Sequence, residues 1–248
     1  MRRRSLAYAA ALAVLACAPA LAQSPSSQMD APPPAAYPGK ILKAEDVDPR
    51  GLLPPPPAEG SAAQKAELAE LHQIQDSRTP SEFALAEWDN IHEDPSAFAP
   101  TLGPKFDMAE LPATARLLEI VEHEQSAAKK LAKAEFHRPR PWVVDSTVVG
   151  CDHSDDKPNT SYPSGHTTMA FTMAVVLSDL MPERSQDIFA RASEYAHDRM
   201  VCGVHFRSDI VAGQAFGTAI GVQLVHAPEL QGELEAARQE LHAAGLAK

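Results

Sequence analysis

The sequence is poor in cysteine, in aromatic residues and in positive charge. Its 248 residues include 3 Cys, 6% aromatic residues, and 22 Lys and Arg against 33 Asp and Glu, a formal net charge of −11. So few cysteines exclude a disulfide-dense miniature fold and a four-cysteine zinc site. The acidic balance excludes nonspecific nucleic-acid binding, which needs a basic surface. What remains is 44% hydrophobic residues, enough for the core of one domain of this length.

The first 22 residues have the three parts of a secretory signal peptide. Three arginines at positions 2–4 precede an apolar stretch from Leu6 to Leu15, and Ala20-Leu21-Ala22 forms a small-residue cleavage site. The sequence therefore predicts export, with removal of residues 1–22. An alternative is lipoprotein processing at Cys17, because the residues before it partly fit a lipobox.

Two cysteines, Cys151 and Cys202, remain after the signal peptide is removed. An even pair in an oxidising compartment favours a disulfide across about fifty residues, and two buried free thiols are the alternative. Neither cysteine lies in a C-x-x-C pair, so no thiol chemistry is indicated.

The body of the chain divides into a proline-rich segment and a helical segment. Ten of the 22 prolines lie between Pro25 and Pro57, which predicts an extended arm over residues 23–60. From residue 61 to 248 the apolar residues recur at helical spacing, and no long polar–apolar alternation suggests a strand. We expect a single all-α domain. Its predicted helices begin at the capping sequences Ser61–Gln64 and Thr79–Glu82 and at Pro112, and then cover about 167–181, 184–200, 208–225 and 229–243.

The predicted helix from Ser208 to Val225 carries three glycines spaced four apart, at positions 213, 217 and 221. Such a stripe allows another helix to approach closely. The stretch from Ile210 to Pro228 has no charged residue, so a membrane span is an alternative. Its glutamines and threonine favour a buried core helix. Together with a mean hydropathy of −0.24, this argues against stable membrane insertion.

Three clusters gather residue types that suit a phosphate group. In the first, Lys133 and Arg140 lie seven residues apart, so both project from one side near a helix end, and the flanking prolines keep Arg140 extended. An ammonium and a guanidinium together grip phosphate oxygens well. The alternative is ordinary complementation of the helix dipole by basic residues.

The second cluster is Pro163-Ser164-Gly165-His166, directly before an apolar helix. Backbone N–H groups at a helix start bind anions, Gly165 permits close approach, and Ser164 adds a hydroxyl donor. His166 is placed to carry a proton. A plain turn and helix cap is the alternative.

The third cluster contains Arg199, His205 and Asp209. The four-residue step from His205 to Asp209 places a carboxylate against the imidazole, which fixes its tautomer and raises the basicity of the other nitrogen. Arg199 supplies another phosphate contact. A structural His–Asp pair is the alternative.

In this order the clusters resemble the signature of the phosphatidic-acid-phosphatase-type superfamily: K-x6-R-P, P-S-G-H and S-R-x5-H-x3-D. Within it, the run Leu52–Pro57, Tyr162 and Cys202-Gly203-Val204-His205 resemble class A bacterial nonspecific acid phosphatases. One departure is Asp198, where the family usually has Ser. A carboxylate beside Arg199 is expected to weaken phosphate binding or to shift the pH optimum.

The resemblance implies a helical bundle and a periplasmic enzyme that hydrolyses phosphate monoesters, releases inorganic phosphate, and needs no metal or cofactor. It also implies a homo-oligomer. His205 would attack phosphorus, Asp209 would orient it, and His166 would protonate the leaving alcohol, which predicts a bell-shaped pH profile with an acid to near-neutral optimum. The residues that would hold the phosphate oxygens are Lys133, Arg140, Ser164, Gly165 and Arg199.

Other activities on the same scaffold remain open. One is a vanadate-dependent haloperoxidase, whose chains are generally longer, and another is a lipid phosphate or pyrophosphate phosphatase. A protein that binds phosphate without turnover would have no use for His205 and Asp209.

His137 lies close enough in sequence to reach the pocket. The segment from Cys151 to Asp156 lacks the glycine and spacing of a calcium loop, which favours a solvated turn.

Overall fold

In the computed structural model, residues 37–151 and 157–248 are described, and every regular element in these two ranges is a helix. The predicted all-α class is therefore confirmed. The predicted signal peptide, Cys17 and most of the acidic loop before Lys157 lie outside the described residues. The helices are α1 (Pro49–Leu52), α2 (Ala62–Ser77), α3 (Pro80–Ile91), α4 (Ala99–Leu102), α5 (Pro112–Phe136), α6 (Pro141–Val144), α7 (Gly165–Leu180), α8 (Ser185–Val201), α9 (Arg207–His226) and α10 (Gln231–Ala243), with 3-10 turns at Pro95–Phe98, Pro182–Arg184 and Pro228–Leu230.

The capping residues predicted from the sequence explain where two of these helices begin. At α3, Thr79 and Glu82 form the complete capping box. At α2, the Ser61 hydroxyl accepts from the Gln64 N–H, but the Gln64 side chain accepts from the N–H of Gly60 at 2.6 Å. The second half of that cap is thus displaced by one residue. The short helices α1, α4 and α6 were not predicted, since four residues carry too little periodicity.

Helix α7 is the centre of the domain and packs against α5, α8 and α9. Twelve of its 16 residues are buried, so it is apolar on all sides. Its closest partner is α9, and the glycine stripe faces it: a Cβ on Gly213 would lie 2.8 Å from Thr167 Cβ, and one on Gly221 would lie 2.7 Å from Val175 Cβ. The stripe therefore sets the distance between the two helices that carry the second and third clusters.

The described part of the proline-rich segment is held against the domain. Glu124, on α5, accepts hydrogen bonds from the backbone N–H groups of Lys40 at 2.6 Å and Ile41 at 3.1 Å. The Pro54 carbonyl accepts from the Tyr162 hydroxyl at 2.6 Å. This last contact links the polyproline run directly to the residue before the second cluster.

A disulfide joins Cys151 to Cys202, which are 51 residues apart. Closing a loop of this length is worth about 4 kcal/mol in the chain-entropy model. The bridge ties the segment after α6 to the end of α8, next to the turn that carries His205.

Within the two described ranges, no single helix is long and apolar enough to cross a bilayer. Two consecutive segments, Arg207–His226 and Pro228–Ala243, pass that test only when taken together, with a bend of 70° between them.

Candidate active site

Six of the eight predicted site residues line one cavity of about 790 Å³. The end of α5, the start of α7 and the end of α8 converge there, so the three clusters meet although 76 residues separate Lys133 from Asp209. The cavity-lining residues among the predicted set are Lys133, Arg140, Gly165, His166, Arg199 and His205. Ser164 and Asp209 lie behind this surface and are completely buried.

His205 is held between a carboxylate and a guanidinium. Its Nδ1 lies 3.4 Å from Asp209 Oδ2, and its Nε2 lies 2.7 Å from Arg140 Nη1. Burial lowers the pKa of His205 well below its usual value, and the charges of Arg140 and Lys133 lower it further. The imidazole is therefore neutral, and with its proton on Nδ1, toward Asp209, the lone pair of Nε2 accepts a hydrogen bond from Arg140 Nη1.

Asp209 is fixed by three further donors. Arg138 Nη1 lies 2.6 Å from Oδ1, and the Ser161 hydroxyl and the Phe206 N–H donate to Oδ2 at 2.6 and 2.8 Å. The other terminal nitrogen of Arg138 donates to Glu67 at 2.7 Å. Burial raises the pKa of Asp209, and Arg138 and the other donors oppose that rise. We call Arg138, Asp209, Ser161 and Glu67 the supporting network.

The cations on the cavity surface come from three elements. Lys133, in the last turn of α5, donates to the Thr160 carbonyl. Burial lowers its pKa well below the usual value, and the nearby Arg140 adds to this effect. Arg140 is the N-cap of α6 and donates to the Val204 carbonyl at 2.8 Å.

Arg199, in the last turn of α8, is buried and donates from Nη2 to Asn90 Oδ1 at 2.7 Å. Its Nε and Nη1 have no hydrogen-bond partner among the described residues. A buried guanidinium with free donors costs stability unless an anion binds them. Arg199, which lines the cavity, thus has two nitrogens whose N–H groups are available to an oxyanion.

Two residues of the second cluster make further contacts that the sequence does not predict. The Ser164 hydroxyl oxygen accepts from the Thr167 N–H and lies 3.0 Å from Thr167 Oγ1, so it caps α7. A Cβ on Gly165 would lie 2.7 Å from Lys129 Cδ. The glycine therefore makes room for a lysine side chain from α5, a contact that spacing in the sequence does not reveal.

His166, the predicted proton carrier, touches two residues at the end of α3. Its Nε2 lies 3.1 Å from the Asn90 carbonyl oxygen, and its Nδ1 lies 3.7 Å from Glu93 Oε2. Burial lowers the pKa of His166 to about 3, with a further contribution from Arg199. In the unliganded cavity this imidazole is therefore neutral as well.

Sequence reasoning missed the residues that hold the predicted ones in place. Asn90 and Glu93 lie about 40 residues before the first cluster, and no spacing connects them to it. Arg138 was available as a signal, because it lies inside the first motif next to Pro139. His137 does line the cavity, with a left-handed backbone φ of 47° at the end of α5.

Asp198, the residue that departs from the family pattern, points away from the cavity. It is buried near Asp89, whose carboxylate pairs with Arg191. Burial and a hydrogen bond with Asp89 raise the pKa of Asp198 to about 8, so it is protonated at acid and neutral pH. A protonated carboxyl donates a hydrogen bond, as the serine of the family pattern would.

The described residues contain no group of three or more His, Cys, Asp or Glu side chains placed to hold a metal ion. Of the acidic loop considered above, Cys151 is in the disulfide, and residues 152–156 lie outside the described ranges.

A pair of imidazoles that line one cavity together with three cations, on a bundle centred on one apolar helix, defines a helical enzyme with an oxyanion site. A family model described as the PAP2 superfamily matches residues 119–232, which include all three clusters. Among solved structures, the crystal structure of Aquifex aeolicus LpxE has the same fold, with a TM-score of 0.51 at 24% identity, covering 62% of this chain and 92% of that one.

Curated relatives cover more of the chain. It is 32% identical to a non-specific acid phosphatase of Salmonella typhimurium, over 80% of this chain and 82% of the relative. It is 30% identical to an acid phosphatase of Zymomonas mobilis, over 79% of this chain and 76% of the relative. The chain belongs to the PAP2 superfamily, and the family and enzyme class that the three motifs indicate are confirmed.

Proposed function

We propose that this protein is an exported acid phosphatase that hydrolyses a broad range of phosphate monoesters through a covalent phosphohistidine, without a metal ion. The observation that carries the proposal is the meeting of His166, His205 and three cations on one cavity. The similarity to curated acid phosphatases supports the same reaction. The cavity is far larger than one phosphate group, which suits leaving groups of varied shape.

In the first step Arg140 transfers its hydrogen bond from His205 Nε2 to a phosphate oxygen, Nε2 attacks phosphorus, and the bond from phosphorus to the ester oxygen breaks. The Asp209 carboxylate beside Nδ1 stabilises the positive charge that develops on the ring. The alkoxide takes a proton from His166 and leaves as the alcohol. In the second step His166 accepts a proton from water, the hydroxide attacks phosphorus, and the bond to Nε2 breaks to release inorganic phosphate.

Lys133, Arg140 and Arg199 supply the positive charge that metal ions supply in other phosphoryl-transfer enzymes. Arg199 is buried and the other two are partly buried, so all three lie in a medium less polar than water, where a preorganised cation stabilises transition-state charge most effectively. The free Nε and Nη1 of Arg199 indicate that this site is completed by an anion.

The pH dependence follows from the neutral histidines. Burial lowers the pKa of both His205 and His166, so the proton for the leaving group enters with the substrate monoanion, or is taken up when the phosphate binds. Phosphate monoesters lose their second proton near a pKa of about 6, so the monoanion is abundant only at acid pH. We expect the plot of kcat/KM against pH to be bell-shaped, with an acid to near-neutral optimum.

The decisive experiment is to trap ³²P on the protein during turnover of a labelled ester. His205→Ala should abolish labelling and lower turnover on the order of 10⁴-fold or more. The matched control is His123→Ala, an exposed histidine on α5 outside the cavity, which should retain both. Labelling that persists in His205→Ala would exclude His205 as the nucleophile, and full activity after exhaustive dialysis against a chelator supports independence from metals.

Export and assembly are part of the same proposal. Mass spectrometry of the protein recovered from the periplasm should show an unmodified N-terminus at Gln23, because the predicted cleavage removes Cys17. Light scattering of the mature protein should give the mass of a homodimer. A lipidated Cys17 or a monomeric mass would overturn the corresponding part.

A further inference from the structure

We infer that Glu93 is a positioning residue for the reaction, which holds the proton-bearing form of His166 and so governs how well the enzyme expels poor leaving groups. This inference rests on the proposed function. It assigns a role to a residue outside the three motifs.

Glu93 is the one carboxylate among the described residues that line the cavity. Its Oε2 lies 3.7 Å from His166 Nδ1, while its Oε1 accepts from Lys129 Nζ at 2.7 Å. Burial raises the pKa of Glu93, but His166 and Lys129 outweigh this effect and lower the pKa to about 2. Glu93 is therefore ionised throughout the working range of an acid phosphatase.

His166 has few other groups that favour its protonated form. Arg199 and Lys129 disfavour that form, while Glu93 and the Asn90 carbonyl favour it. The ring also lies 5.9 Å from that of Tyr195 and is close enough to His205 for the two to influence each other electrostatically. The groups that face His166 are Asn90 and Glu93 at the end of α3, Lys129 on α5, Tyr195 and Arg199 on α8, and His205.

Glu93 also lies beside the residue that protonates the leaving group in the proposed mechanism. There His205 attacks phosphorus from one side, the ester oxygen leaves on the opposite side, and His166 protonates it. The ion pair of Glu93 and Lys129 lies next to His166, with the Lys129 side chain packed over Gly165. A charge at this position acts on proton transfer to the ester oxygen more than on binding of the phosphate.

The test compares two substrates that need the proton to different extents. 4-Nitrophenyl phosphate has a good leaving group that departs without much protonation, whereas glycerol 3-phosphate must be protonated by His166. In Glu93→Gln we expect kcat/KM for glycerol 3-phosphate to fall about 10-fold to 100-fold, part of the ~10²–10⁴-fold that general acids contribute. The value for 4-nitrophenyl phosphate should fall by less than about threefold.

A second variant tests the opposite electrostatic change near His166. Lys129→Gln removes the cation that competes with His166 for the Glu93 carboxylate. The alkaline limb of the kcat profile for glycerol 3-phosphate, which reports ionisation of His166 in the enzyme–substrate complex, should therefore move to higher pH in Lys129→Gln and to lower pH in Glu93→Gln. The control is Glu119→Gln, an exposed carboxylate on α5, which should change neither the limb nor the substrate ratio.

The outcomes separate this inference from the function on which it rests. Equal losses on both esters, or limbs that move in the same direction in both variants, would overturn the role of Glu93. If the wild-type enzyme hydrolyses neither ester, the proposed function itself fails. If Glu93→Gln does not fold, as judged by its circular dichroism, the direction of the limb in Lys129→Gln still decides.

Discussion

The cavity surface and the supporting network behind it both contain basic residues, but these residues differ in whether the fold pairs them with carboxylates. Arg138 gives both terminal nitrogens to carboxylates, at 2.6 Å to Asp209 and 2.7 Å to Glu67. On the cavity side, Lys133 donates to a backbone carbonyl and Arg199 to the Asn90 amide, both neutral acceptors. Buried cations are stable when paired with anions and costly when they are not.

This contrast indicates which basic residues stabilise the fold and which ones contribute to the binding of phosphate. The carboxylates of the supporting network are paired with Arg138 without a ligand, so the network contributes to folding and fixes Asp209. The cavity cations Lys133 and Arg199 are incomplete without a ligand, because the fold gives them only neutral acceptors, so the arriving phosphate supplies the negative charge that the fold leaves out. Four substitutions or ligand additions test the contrast, in order of their expected effect on stability.

The largest loss of stability is expected from Arg138→Met. This change leaves the buried carboxylates of Asp209 and Glu67 without their cation, which should cost about 3–5 kcal/mol of the free energy of unfolding. Urea denaturation measures it. The matched control is Arg116→Met, whose exposed pair with Glu233 is worth less than about 1 kcal/mol. Equal losses of the free energy of unfolding in the two variants would show that the pairs of Arg138 contribute no more to stability than an exposed ion pair.

Inorganic phosphate should stabilise the wild-type enzyme because it binds the incomplete cations only in the folded state. At a concentration of 100 times Kd the gain is about 2.7 kcal/mol, seen as a rise in Tm. The gain should shrink strongly in Arg199→Gln, which lacks the two free donors. Chloride at the same ionic strength is the control, and an equal rise with chloride would argue against a specific oxyanion site.

The same methionine substitution on the cavity side should have the opposite sign. Because burial and Arg140 disfavour the charged form of Lys133, Lys133→Met should raise the free energy of unfolding by about 1 kcal/mol. Turnover should fall about 10²–10³-fold, as when one transition-state donor is removed. A variant that is both inactive and strongly destabilised would show that Lys133 belongs to the supporting network.

The last test concerns Asp198, whose effect on stability is smallest at acid pH and grows as the pH rises. Burial and Asp89 raise its folded-state pKa to about 8, above the unfolded value of 3.8, so its contribution to stability is lost as the pH rises from about 4 through 8. Asp198→Asn cannot ionise and keeps a donor toward Asp89. Its stability relative to wild type should therefore increase between pH 5 and pH 9 in denaturation curves. Asp187→Asn, an exposed change on the same helix, should show no such trend.

Local sequence patterns predicted the larger helices well because caps and periodicity act over a few residues. Thr79 and Glu82 start α3 as expected, and the three glycines of α9 face α7. Ser164 remains predicted as a phosphate ligand, and the structure adds that its hydroxyl oxygen caps α7. The cap uses a lone pair of the oxygen, whereas a phosphate ligand uses the O–H donor, so one hydroxyl can do both.

The sequence by itself determined the helical class, the disulfide partners and the residue types around the phosphate, since these depend on composition, short-range spacing and the three motifs. Tertiary structure alone decided which groups stand behind and beside those residues. Arg138 reaches Asp209 across 71 positions, and Glu93 reaches His166 across 73. Such pairs arise because separate helices pack at a distance set by their side chains, and electrostatic partners in a buried site depend on that distance and not on separation along the chain.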